Sequence, residues 1–375
     1  MYQQKQNISY PSQLGILIGL AGGGLLLGGI LSVALMFSQL GMAKATKLDE
    51  LFKPENINLI RWLQIISTLF LFFIPTIVFA RIISKKPFQY LGYNRHINLM
   101  QVVLVALIMI TCFPIAGALA ELTQKIPLSP NLVKKFKAAE EEYEKQVQIL
   151  MVMKNGADYF WSLLIIAVLP AIFEETIFRG GLQKLLLRWK NNSQFYIIFA
   201  SILAALFYHL FYRAAINIFL FYFLLISLTL WLLSSKKITN RLNNYTNYSL
   251  AAILATSIIF SAVHFSYYGF LSRVVLGAVL GLIYYHSGNI WLNIITHLFY
   301  NGTAVTFMYL QSAKTGQQPA KEIETTMPLW SGPVALIILA GLLYVFIRIS
   351  KPLKQKAAEE EATPPPKEDN WMLDN

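Results

Sequence analysis

The chain is dominated by unbroken apolar runs whose length fits a lipid bilayer. Ten can be bounded, at 14–37, 59–83, 99–122, 159–186, 195–212, 214–233, 248–266, 269–286, 289–310 and 331–349. A helix needs about 20 apolar residues to cross a hydrocarbon core of about 30 Å. The runs are continuous rather than alternating, which argues against a transmembrane β-barrel. Only 13% of the 375 residues are charged, against about 25% in soluble domains. The expected fold is all-α: a polytopic integral membrane helical bundle of about ten transmembrane helices.

The formal net charge of +12 does not point to nucleic acid. Most of the lysines and arginines sit in short loops beside apolar runs, where they orient a protein and meet anionic headgroups. Lys85, Lys86 and Arg95 follow the second run, and Lys184, Arg188 and Lys190 follow the fourth. Lys236, Lys237 and Arg241 follow the sixth, and Lys351, Lys354 and Lys356 follow the tenth. Ten crossings bring all four clusters to one side, with both termini cytoplasmic in a plasma (inner) membrane. The same count requires 195–233 to be a transmembrane hairpin, since one long helix would put two basic clusters on opposite faces.

The first run, 14–37, is longer than the roughly 7–15 apolar residues of a signal peptide. Gly15, Gly19, Gly23, Gly24 and Gly28 suit close helix packing, so it is expected to be a retained helix. Residues 131–153 place Leu132, Phe136, Tyr143, Val147 and Leu150 near helical spacing opposite a charged face. They are expected to form an interfacial helix or a helix packed on the spans. Residues 1–350 read as one membrane domain, and 351–375, with its Glu- and Pro-rich stretch, as a disordered cytoplasmic tail. Cys112 is the sole cysteine, which rules out an intrachain disulfide and a Cys-rich zinc site.

Against this background the stretch "EETIFR" is costly. A charged side chain at the bilayer centre costs about 2.5–3.5 kcal/mol on insertion scales, and Glu174, Glu175 and Arg179 fall inside the fourth run. Glu175 and Arg179 are four apart and can pair on a helix. Glu174 is turned about 100° away and is left to face something else. Pro170, one turn earlier, cannot donate to the carbonyl of residue 166 and is expected to bend the helix. Partners for Glu174 lie downstream: Phe260 and His264 are four apart, as are His297 and Asn301. A carboxylate with an imidazole can activate water, and an imidazole with an amide can hold an oxyanion. Phe260 reads most simply as packing, as do Gly277 and Gly281. No His-Glu-x-x-His zinc motif and no Gly-x-Ser-Gly serine motif is present.

In order, Glu174-Glu175-x-x-x-Arg179, Phe260-x-x-x-His264 and His297-x-x-x-Asn301 resemble the three-motif signature of the CAAX-protease and bacteriocin-processing family (CPBP, or Abi) of intramembrane endopeptidases. The resemblance covers about 160–310. It implies that Glu174 and His264 activate water, that His297 and Asn301 form an oxyanion hole, and that Glu175, Arg179 and Phe260 are supporting. It implies an eight-helix core carrying 195–233 as an inserted hairpin, because the motifs are usually closer together than Arg179 and Phe260 are here. It also implies a peptide or membrane-protein substrate. No cofactor is favoured; zinc is the alternative, and would draw on Glu174, His264 and His297. Two other function classes compete: a catalytically silent protein for bacteriocin immunity or scaffolding, and a proton-coupled transporter.

Overall fold

The computed structural model describes residues 8–46, 48–126, 128, 130–189, 193–211, 215–245, 248–315 and 328–362, and each expected apolar run lies on a helix over most of its length. The long helices are α1 (Tyr10–Leu40), α2 (Ile57–Ile83), α3 (Leu99–Gln124), α4 (Pro130–Leu150), α5 (Gly156–Arg188) and α6 (Ser193–Phe211). They continue with α7 (Ala215–Ser234), α8 (Tyr248–Ala262), α9 (Phe270–Ser287), α10 (Ile290–Thr315) and α11 (Ser331–Ala362). Among the described residues six helices are long and apolar enough to cross a membrane: α1, α2, α3, α5, α9 and the Ser331–Gln355 part of α11. Shorter apolar helical stretches lie in α6, α7 and α8. The polytopic helical class is borne out. In α10 the polar residues Asn293, Thr296 and His297 are buried in the bundle rather than turned to lipid.

Helix packing explains several of the glycines. A Cβ on Gly24 would fall 1.9 Å from the carbonyl oxygen of Phe70, so α1 touches the backbone of α2 at that point. Gly15, Gly19 and Gly23 meet nothing within 4 Å and play no part in this seam. On α9, a Cβ on Gly281 would come 2.8 Å from Ile253 of α8, which makes the Gly277–Gly281 stripe the α8–α9 interface.

Two prolines interrupt the helices in the same way. Turns of π-helix at Leu69–Phe73 and Leu164–Val168 immediately precede Pro75 and Pro170, which lack the N–H that regular winding needs. A third π-helical stretch, Thr176–Gln183, starts directly after Glu175.

The basic clusters gather at one end of the bundle. Lys184 donates to the carbonyl of Tyr90, and the Arg188 guanidinium lies 5.6 Å from the Tyr90 ring centre. Ser193 donates to the carbonyl of Thr239 at 3.5 Å, which brings 236–241 alongside. Lys354 donates to Tyr285, and Gln101 at the start of α3 donates to Ser350 at 2.9 Å. The opposite end holds Arg61, paired at 3.0 Å with Asp158, and α4. There α4 packs on the turn between α8 and α9: Phe136 stacks on Tyr267 with ring centres 4.1 Å apart, and Ser266 donates to Glu140 at 2.9 Å.

Two expectations are corrected. Residues 351–362, assigned to a disordered tail, continue α11, because the Lys- and Ala-rich sequence after Pro352 favours helix; residues 363–375 of that tail lie outside the described residues. His264, expected in the seventh run at 248–266, lies beyond the end of α8 at Ala262. The chain there makes tight turns and then reverses through Phe265, whose φ is +53°.

Candidate active site

The site forms where α5, the end of α8 and α10 meet. On α5, neighbouring glutamates point to different partners, as a 100° helical rotation requires. Glu175 is fully buried and faces Arg179, whose Nε donates to its Oε2 at 3.0 Å. Its Oε1 takes Nδ1 of His297 at 3.0 Å. Asn293, one turn before His297 on α10, offers its amide to Oε2 at 3.4 Å and donates to the carbonyl of Leu280 at 2.7 Å. One carboxylate thus gathers three side chains from two helices. Such saturation is what makes a buried charge tolerable.

Arg179 is fully buried, with its guanidinium carbon 5.3 Å from the centre of the Phe260 ring. The ring supplies a negative face for a cation that meets only one carboxylate. Phe260 also lies edge-on to His264 and His297, with centres 5.1 and 6.1 Å away. It therefore walls the site as well as filling space.

Glu174 turns toward His264, and its Oε2 is 3.9 Å from Nε2. That is too long for a hydrogen bond, and Glu174 Oε2 is buried without a hydrogen-bond partner. His264 is fixed from its other side, with Nδ1 at 2.8 Å from the carbonyl of Phe260. A carbonyl only accepts, so Nδ1 carries the proton and a neutral ring presents Nε2 as an acceptor. The Phe-x-x-x-His spacing holds even though the histidine is off the helix, because that bond spans the same four residues.

Asn301 is placed by the Pro170 kink. Its amide donates at 3.1 Å to the carbonyl of Ile166, the group that Pro170 leaves without its usual donor. This leaves the second amide hydrogen and Oδ1 of Asn301 for other work. Glu174 and His264 face one another, and Phe260 lies against both His264 and His297, with Glu175 and Arg179 behind them; Asn301, one turn further along α10, reaches Ile166, two turns before Glu174 on α5.

Sequence reasoning missed two residues. Asn293 joins the Glu175 cluster, and its spacing of four before His297 was the available signal. Gln183, four beyond Arg179, donates to the carbonyl of Gly281 at 2.8 Å and ties α5 to α9.

Among the described residues no three His, Cys, Asp or Glu side chains are arranged to hold a metal ion. Nδ1 of His297 and Nδ1 of His264 are engaged with Glu175 and with Phe260, which leaves Nε2 of each ring for the site.

No curated protein and no solved structure matches the chain. Residues 156–237 and 233–303, less than half of its length, match a protein family described as type II CAAX prenyl endopeptidase Rce1-like. The matched region contains every residue of the site, and it bears out the resemblance drawn from the three motifs: the chain carries an Rce1-like segment of the CAAX-protease and bacteriocin-processing kind.

Proposed function

We propose that this protein is an intramembrane endopeptidase in which Glu174 and His264 activate a water molecule. The observation that carries the reading is the relation between these two side chains. A buried carboxylate oxygen and an imidazole nitrogen, both acceptors, stand 3.9 Å apart. Neither can satisfy the other, and a water donating one hydrogen to each satisfies both. Water held this way is polarised by a base on each side. Its oxygen attacks the scissile carbonyl, its proton passes to the Glu174–His264 pair, and that proton then goes to the departing amine.

The developing oxyanion needs donors, and His297 and Asn301 supply them. With Nδ1–H bonded to Glu175, a protonated His297 directs Nε2–H into the site, and Glu175 is its counter-charge. Asn301 contributes the amide hydrogen that Ile166 does not take. The reaction in this form uses no metal. The substrate is a peptide or membrane protein that reaches the site from the bilayer. The end of the bundle that carries the basic clusters faces the cytoplasm, as the positive-inside rule requires.

The test is cleavage by the purified protein in liposomes. A degenerate peptide library is digested in H₂¹⁸O and read by mass spectrometry, with Glu174→Gln and His264→Ala as controls. Hydrolysis places ¹⁸O in the new carboxyl group of wild-type products alone. Undiminished cleavage in both variants would overturn the assignment. Solute flux through liposomes without any cleavage would favour the transporter.

A further inference from the structure

One cation beside the site is unused by the scheme above. Arg273 lies one turn into α9, just past the turn that carries His264. Its guanidinium folds back over Gly269: a Cβ on that glycine would come 2.6–2.8 Å from Nη1, Cζ and Nη2. On its other side the ring of Tyr143, from α4, has its centre 5.4 Å away. Nη1 is buried and has no hydrogen-bond partner. Among the described residues Arg273 makes no ion pair. Its charge is within electrostatic reach of both Glu174 and His264.

An arginine at the end of a span commonly extends toward lipid phosphates. Arg273 instead turns inward, held between a glycine that makes room and a tyrosine that covers it. A buried guanidinium donor without an acceptor is costly, and an anionic group relieves that cost best, since it satisfies the donor and the charge together. The substrate is the partner that comes close to both Arg273 and the water-activating pair. Guanidinium recognises carboxylate in a planar, two-point geometry.

We propose that Arg273 binds a carboxylate of the substrate peptide and thereby sets which peptide bond is presented to Glu174 and His264. The carboxylate is either the chain terminus or an Asp or Glu side chain. The proposal rests on the endopeptidase reading and adds a specificity determinant to it.

Apolar decapeptides made as free acids, as C-terminal amides, and as amides carrying one Glu at successive positions provide the probes. Wild-type protein is expected to cleave the carboxylate-bearing forms about tenfold or more faster in kcat/KM than the plain amides. Comparison of the free acids with the Glu series separates the two carboxylate sources. Arg273→Gln is expected to abolish the preference while still cleaving amides, and Arg273→Lys to keep part of it. Size-exclusion and thermal unfolding in detergent verify that both variants are folded. Equal cleavage of acids and amides by wild type, or a preference that survives in Arg273→Gln, would overturn the proposal and leave the endopeptidase standing. Binding of the same peptides to Glu174→Gln, with and without Arg273→Gln, provides an arm that needs no turnover. Carboxylate-dependent binding lost with Arg273, when the wild type cleaves nothing, would support recognition and defeat the peptidase. Binding that ignores the carboxylate would defeat recognition.

Discussion

Nδ1 of His297 lies 3.0 Å from Oε1 of Glu175, and this contact joins α10 to α5 at the depth where Arg179 and Asn293 also reach the carboxylate. The second glutamate of the motif is therefore the structural centre of the site, and the first is its chemical edge. Glu175 holds a histidine, an arginine and an amide in place, while Glu174 is left with an unpartnered oxygen facing His264. The two residues respond differently to the same substitution.

Glu175→Gln leaves the Arg179 cation buried without its counter-charge. Removal of one member of a buried pair costs about 3–5 kcal/mol, so the variant is expected to melt well below wild type in detergent. Glu175→Leu combined with Arg179→Met removes both charges, and is expected to melt above Glu175→Gln. Thermal unfolding of the three proteins checks the order. A double variant no more stable than the single one would contradict it.

Glu174→Gln removes a charge that no protein donor satisfies. Activity is expected to fall about 10²–10⁴-fold, the range for loss of a positioned acid–base group, with the melting temperature close to wild type. His264→Ala is expected to show the same loss. Peptide cleavage measured beside thermal unfolding separates this outcome from simple misfolding.

The metal-free reading makes a separate demand. Dialysis against a strong chelator, followed by assay with and without added zinc, is expected to leave the cleavage rate unchanged. Loss on chelation with recovery on zinc would reverse the reading.

Asn301 has two roles that can be separated. Asn301→Ala removes a donor from the carbonyl of Ile166 and is expected to cost about 1–3 kcal/mol, besides lowering activity. Pro170→Ala returns a backbone N–H to the helix. In the Asn301→Ala background it is expected to recover much of the stability and none of the activity. Recovery of both would deny Asn301 a place at the oxyanion.

Topology can be read directly. A reporter fused after Arg241 is expected in the cytoplasm, and a cysteine replacing Lys137 on α4 is expected to label from the other side of the membrane.

Much of the fold was legible because lipid leaves a sequence few options. The apolar runs, the basic clusters and the four-residue spacing of Glu175 and Arg179 each follow from local rules, and each has its counterpart in the structure. The departures come from interactions between distant segments. His264 leaves its helix because Phe265 reverses the chain toward α9, which a run of apolar residues does not signal. Asn293 joins Glu175 only because α10 lies against α5, so its spacing from His297 had meaning only once that neighbour was known. The π-helical turns before Pro75 and Pro170 reflect how a whole helix accommodates a missing donor, and no single residue announces them.

The bond from Asn301 to Ile166 has a consequence for how the protein assembles. Inside the bundle the acceptor exposed by Pro170 needs a donor, and the amide on α10 supplies one. If either helix slid by one turn, the two groups would no longer meet. The pairing thus works as a register check: it forms only in the alignment that also brings His297 to Glu175. A defect that would weaken an isolated helix becomes, between two helices, the means by which the site proofreads its own construction.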